Sequence, residues 1–269
     1  MTPISHSQDA TTAEVLEVDF RQIGKRNKLW NFGGVAREER EQSFTGTRMY
    51  EALISGSNLD EGKETLEIAQ EYLSCDSNEL RIFDYGCGTG ISIQQMARSA
   101  GEKLDVAMGY DPYPLAHKLR KNIEDGKSPN SASYQKLVSM PAEVKQKVNF
   151  TKEATDLLKQ EPFNLGICWG VGMWWSKEGQ LLSELATLAA ILQRGGILNL
   201  CMGTMLTEMP EFMVDRDVKY ISKAEMLSSI GKVGFEVLNH EISPTGEDLE
   251  HHDLILRKTR NVQFRQRGA

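Results

Sequence analysis

A chain of 269 residues, 40% of them apolar, is long enough for one α/β domain with extensions and too rich in core-forming side chains to be disordered. The formal net charge of −7, with no dense Lys/Arg block, argues against a general nucleic-acid or membrane-surface binder. The longest apolar runs, at 165–175 and 197–202, are far too short to cross a bilayer, and the acidic first twenty residues hold no apolar secretion signal, so a cytoplasmic protein with no membrane partner is expected.

Residues 1–18 are polar and aperiodic and read as a disordered tail. An N-terminal helical extension is predicted over 19–76, with Leu66, Ala69, Tyr72 and Leu73 at helical spacing. From Leu80 the texture changes. A short apolar strand ends in Asp84-Tyr85, the turn Gly86-Cys87-Gly88-Thr89-Gly90 follows, and 91–100 is an amphipathic helix. Strand 104–111 and helix 115–124 continue the alternation, which a polar stretch at 125–145 interrupts. Strands at 148–151 and 163–170 come next, then a helix at 178–193 for which Gly195-Gly196 reads as the C-terminal cap. A strand at 197–202 precedes an irregular stretch at 203–220. Helix 222–232 carries Ser222 as N-cap with Glu225 three residues on, and 235–243 and 252–258 form a closing hairpin. Strands alternating with helices predict a mostly parallel sheet covered on both faces.

The four cysteines, Cys75, Cys87, Cys168 and Cys201, show no CxxC spacing, and no His-x₃-His accompanies them. Reduced thiols and no metal site are expected.

The glycine turn carries the chemistry. Gly86, Gly88 and Gly90 lack Cβ atoms and let backbone approach a ligand, and the helix behind them offers free N–H groups. The spacing is GxGxG, without the third glycine of a dinucleotide GxGxxG and without the Lys-Ser/Thr of a phosphate-binding P-loop. Asp84, two residues before the first glycine, would repel a pyrophosphate and attract a cation. The next strand ends in Asp111, where an open sheet of this kind places a carboxylate against ribose hydroxyls.

The run Asp84–Gly90, Asp111, Glu153-Ala154 and the stretch LQRGGILNL at 192–200 together resemble the class I S-adenosylmethionine-dependent methyltransferase family, over roughly 80–258. The resemblance implies a Rossmann-like seven-stranded sheet with one antiparallel strand near an edge, an N-terminal helical lid, a methyltransferase domain over 77–269 and S-adenosyl-L-methionine as cofactor. It places Asp84 and Gly86 at the methionine end, with Cys87 inside the same motif and Gly88 and Gly90 as the close-approach glycines. Asp111 would hold the ribose, Pro112 would pack on the adenine, and Glu153 and Ala154 would read the adenine edge. Trp169 and Gly170 would lie beside the reacting methyl.

This sequence departs from the family pattern at Asn164, where Asp is common, and at Arg194, where Pro is common. Residues 168–175 read CWGVGMWW and lack the Asn/Asp-Pro-Pro-Tyr/Phe of enzymes that methylate base or amide nitrogen, which points to a small-molecule acceptor. The competing functions are a protein or peptide methyltransferase and a catalytically silent cofactor-binding partner subunit. Substrate contacts are expected from Trp30, Phe44, Arg48 and Tyr50 in the lid, from Trp174, and from His251 beside the last hairpin. For Trp30 the alternative is packing under an N-terminal helix, and for His240, His251 and His252 it is solvated loop histidines. No catalytic base is assigned.

Overall fold

Every position of Leu80–Tyr85 but Arg81 is buried, and every position of Phe163–Cys168, as adjacent central strands covered on both faces require. The computed structural model describes residues 15–18, 61–73, 79–112, 114–127, 131–169, 179–205, 221–244 and 249–266. In chain order these form β1 (Val15–Val18), α1 (Glu61–Tyr72), β2 (Leu80–Tyr85), α2 (Ile91–Ala100) and β3 (Leu104–Tyr110). Then follow α3 (Pro114–Glu124), α4 (Ser131–Val138), α5 (Ala142–Lys145), β4 (Val148–Thr151), α6 (Ala154–Leu158) and β5 (Phe163–Cys168). The remainder is α7 (Gln180–Ile191), β6 (Leu192–Met205), α8 (Lys223–Lys232), β7 (Phe235–Pro244), β8 (Leu249–Lys258) and β9 (Gln263–Gln266).

Seven strands make one sheet in the order β4-β3-β2-β5-β6-β8-β7. The pairs on the β4 side through β6 are parallel, and β8 runs antiparallel to both its neighbours. This is the mixed sheet, with its reversed strand next to an edge, that the sequence predicts. Alternation along β2 separates two cores: Phe83 and Tyr85 face a cluster with Leu185 and Leu188 of α7 and Ile230 of α8, whereas Leu80 and Ile82 face Leu66 of α1 and Ile93 and Met96 of α2. No described helix is long and apolar enough to cross a membrane.

Four expectations need correction. Residues 15–18, read as disordered tail, form a strand parallel to β9, and Val18 is buried in the core, because four alternating residues suffice once a partner strand is present. Gly195-Gly196 does not cap α7. The helix ends at Ile191, and the glycines lie within β6 at a register break between Phe163↔Leu192 and Leu165↔Ile197. Gly195 takes φ 83° there, and a Cβ on Gly196 would meet the Gln193 carbonyl oxygen at 3.0 Å. The carbonyl of Leu192, at the helix end, instead accepts a hydrogen bond from the buried Lys258 Nζ at 2.6 Å. The polar stretch 125–145 carries α4 and α5, and residues 203–205, expected to be irregular, continue β6.

Asn164 also finds its reason here. Its Oδ1 accepts from the Arg81 N–H at 3.0 Å and its Nδ2 donates to the Glu79 carbonyl at 2.8 Å, tying the start of β5 to the start of β2. A carboxylate has no donor for the second bond.

Candidate functional site

Strand register assembles the site at the carboxyl edge of the sheet. Asp84 lies between Gly109 of β3 and Ile167 of β5. Asp111 and Trp169 each follow two residues beyond those partners, and Glu153 follows two beyond Thr151, whose carbonyl accepts from the Asp111 N–H at 3.1 Å. The ends of four neighbouring strands therefore deliver Asp84, Asp111, Glu153-Ala154 and Trp169 to one edge, where open α/β sheets bind ligands.

The glycine turn is fastened from several sides. The N–H groups of Gly86 and Cys87 both donate to the Tyr110 carbonyl, at 2.7 and 2.9 Å, and the Gly90 N–H donates to the Cys87 carbonyl at 2.7 Å. Gly86, Gly88 and Gly90 all have positive φ, at 91°, 53° and 81°. A Cβ on Gly90 would stand 2.4 Å from the Phe150 ring, whereas one on Gly88 would meet nothing within 4 Å. The open side of the turn is at Gly88. Phe150 also fills the space beside Gly109, and the Arg120 guanidinium lies 3.6 Å from its ring centroid.

Two carboxylates flank this turn. The Asp111 Oδ2 accepts from the Gly88 N–H at 2.9 Å. Asp84 is buried, and burial, followed by the charge of Asp111, pushes its carboxyl up to about 8, against a pull downward from the Ile93 N–H. Burial, then Asp84 and Asp111, also pushes the Cys87 thiol well up, which makes it a packing residue and no nucleophile. Pro112 is half-buried just past Asp111, and Ala154 is buried at the start of α6 with Glu153 exposed before it.

Sequence reasoning missed the residues that hold the turn from behind. Tyr134 of α4, fully buried, donates from its hydroxyl to the Thr89 carbonyl at 2.9 Å and accepts from Gln94 Nε2 at 2.7 Å, while the same Nε2 lies 3.0 Å from the Gly90 carbonyl. A single aromatic in a polar stretch gives no periodic signal. His117 of α3 donates from Nε2 to the Asp111 carbonyl at 2.7 Å and anchors α3 to the end of β3. Below the site, the Tyr85 hydroxyl meets the buried Glu184 of α7 at 2.5 Å.

Gly170, Trp174, Trp30, Phe44, Arg48 and Tyr50, with residues 19–60 of the helical extension expected over 19–76, lie outside the described residues. His251 is not a solvated loop histidine. It sits in β8, with Nε2 2.9 Å from Cys201 Sγ. On the opposite face His252, fully buried, meets Thr204 Oγ1 at 2.6 Å and His240 at 2.8 Å, and burial with His240 beside it holds its imidazole below the usual range.

No family model and no curated protein matches the sequence. Solved structures do match. A methyltransferase from Geobacter sulfurreducens, crystallised with S-adenosylhomocysteine, is similar at 16% identity over 79% of this chain and 98% of that one, with a TM-score of 0.51. A putative sarcosine dimethylglycine methyltransferase from Galdieria sulphuraria is similar at 10% identity over 80% and 98% of the two chains, with a TM-score of 0.53. The [4+2]-cyclase SpnF is similar at 15% identity over 73% and 80%, with a TM-score of 0.50. At such identities the likeness is one of architecture, and the chain has the Rossmann-like fold of the class I S-adenosylmethionine-dependent methyltransferases.

Proposed function

We propose that this chain is an S-adenosylmethionine-dependent methyltransferase acting on a small-molecule acceptor. The observation that carries the reading is the pair Asp84 and Asp111 on either side of an open glycine turn. A carboxyl raised first by burial and then by its carboxylate neighbour is an environment that a cation relieves and a pyrophosphate worsens. The residues present fit the group: Asp84 would attract the cationic methionine end past the open side of the turn at Gly88, Asp111 would take the ribose hydroxyls, and Pro112, Glu153 and Ala154 would border the adenine. When bound, the cofactor supplies an electrophilic methyl on a sulfonium. This chain's task is then to hold an acceptor in line with it and to exclude water.

The lid reading extends this proposal to residues 19–55. A cover beyond the strand ends is the gating element such chemistry uses.

Thermal unfolding with S-adenosylhomocysteine, and separately with NAD, tests the cofactor; stabilisation by NAD alone would overturn it. Turnover is read by product mass with labelled donor against a panel of metabolites and peptides. A second reading rests on the [4+2]-cyclase, which shows the same architecture in a protein named for a different reaction. Binding of S-adenosylhomocysteine with no donor consumption across the panel would favour it.

A further inference from the structure

The spacing of cysteines and histidines along the chain shows no metal motif, yet the fold gathers one. Cys201 lies in β6, and His251 and Asp253 lie two apart in β8, so both β8 side chains share a face. Cys201 is paired directly with Asp253 in the antiparallel register, and Gly203 with His251. Cys201 Sγ, His251 Nε2 and a carboxylate oxygen of Asp253 all lie within 4.8 Å of one another. The sulfur stands 2.9 Å from Nε2, which in turn stands 3.5 Å from Asp253 Oδ1. Zinc takes thiolate sulfur at about 2.3 Å and imidazole nitrogen at about 2.0–2.1 Å, so tetrahedral ligand atoms sit about 3.3–3.6 Å apart. The nitrogen–oxygen spacing already matches, and the sulfur needs to withdraw from the imidazole by roughly 0.6–0.7 Å.

A second observation points the same way. In the neighbouring strand Glu241 is paired directly with Asp253, on the same face. Like charges directly opposite each other across a ladder destabilise it. A divalent cation beside Asp253 removes that penalty, and the thiolate and carboxylate of the ligand set balance its two charges. The absence of a side chain at Gly203, opposite His251, leaves the imidazole room on the β6 side.

We propose that Cys201, His251 and Asp253 form a binding site for a single zinc ion. One thiolate, one imidazole and one carboxylate suit a borderline ion, where six oxygens would suit magnesium or calcium. The side chains of His251 and Asp253 are 35% and 50% exposed, so the outer side of the group is open to solvent. Three protein ligands with a fourth position left to water or another donor is the arrangement of zinc sites that act on a ligand. The group lies toward the end of β6, one strand over from β5 and Trp169, and its existence does not depend on the cofactor reading.

The test uses the full chain stripped with chelator and titrated with zinc alone. Zinc uptake is read by metal analysis after desalting and by mapped alkylation of Cys201; cobalt in place of zinc reports thiolate ligation by its near-ultraviolet absorption band. The wild type is expected to retain one equivalent, to shield Cys201 from alkylation and to show the band. Cys201→Ser is expected to lose zinc retention and the band, and His251→Ala to lose all three. His251 is partly exposed, so His251→Ala carries the test if Cys201→Ser fails to fold, and circular dichroism of the metal-free proteins checks the fold. No retained zinc in the folded wild type, or retention unchanged in the folded variants, would overturn the site.

Discussion

The Asp111 carboxylate accepts a hydrogen bond from the Gly88 N–H at 2.9 Å, so the residue expected to hold a ribose also closes the glycine turn. Replacing it removes both roles. Asp111→Ala should weaken S-adenosylhomocysteine binding by roughly 1.5–3 kcal/mol, the range for hydrogen bonds to charged groups. Asp111→Asn, which keeps an acceptor for Gly88, should lose less. Calorimetric titration of both variants measures this, and an unchanged affinity for Asp111→Ala would remove the residue from the cofactor site.

Asp84 sets a pH dependence. Its folded-state carboxyl stands at about 8, above its ordinary 3.8. Below the lower value both folded and unfolded chains hold the proton and nothing is lost. As pH rises between the two values the unfolded chain ionises first, so this residue's contribution to stability falls, and the loss is complete above about 8. Asp84→Asn should therefore flatten the decline of the melting temperature between about pH 5 and 7.5. A cationic ligand should also expel the proton near neutrality, an uptake of protons by buffer that calorimetry in two buffers detects in the wild type and not in Asp84→Asn.

Gly88 and Gly90 separate binding from folding. Alanine at either position takes a left-handed backbone that costs about 1–2 kcal/mol. At Gly90 the new Cβ also drives into Phe150, adding about 1–3 kcal/mol of overpacking. Gly88→Ala points its methyl into open space, on the side proposed for the cofactor. Gly90→Ala should lower the melting temperature more, and Gly88→Ala should lose more cofactor affinity relative to its loss of stability. Equal stability losses in the two variants would count against the placement of Phe150.

Tyr134→Phe removes the hydroxyl that ties α4 to the turn. A cost of about 0.5–1.5 kcal/mol in urea unfolding is expected, the ordinary net worth of such a bond. A turn released from behind should also bind S-adenosylhomocysteine more weakly. Full affinity would show that Phe150 and the Tyr110 carbonyl hold the turn unaided.

Much of the sheet is readable because its strands are short apolar runs punctuated by turn residues, and Asp84–Gly90 and Asp111 stand out because glycines and acids at strand ends have few structural uses. Other relationships leave no local trace. Tyr134 reaches Thr89 from a stretch whose polarity hides its one buried aromatic face. Lys258 serves a helix whose end is far away in sequence, so the nearby Gly195-Gly196 attracts the capping role instead. Cys201 meets His251 only because β8 runs backwards against β6, a register that spacing within either strand does not encode.

The pairing of Val15–Val18 with Gln263–Gln266 has a consequence for biosynthesis. During translation Val15–Val18 emerges before all seven strands of the large sheet and Gln263–Gln266 after them, so the contact closes a loop that contains the whole of that sheet. Val18 therefore stays without its parallel neighbour until the ribosome has finished this part of the chain, and the small sheet seals a seven-stranded body whose own strands have already had time to assemble.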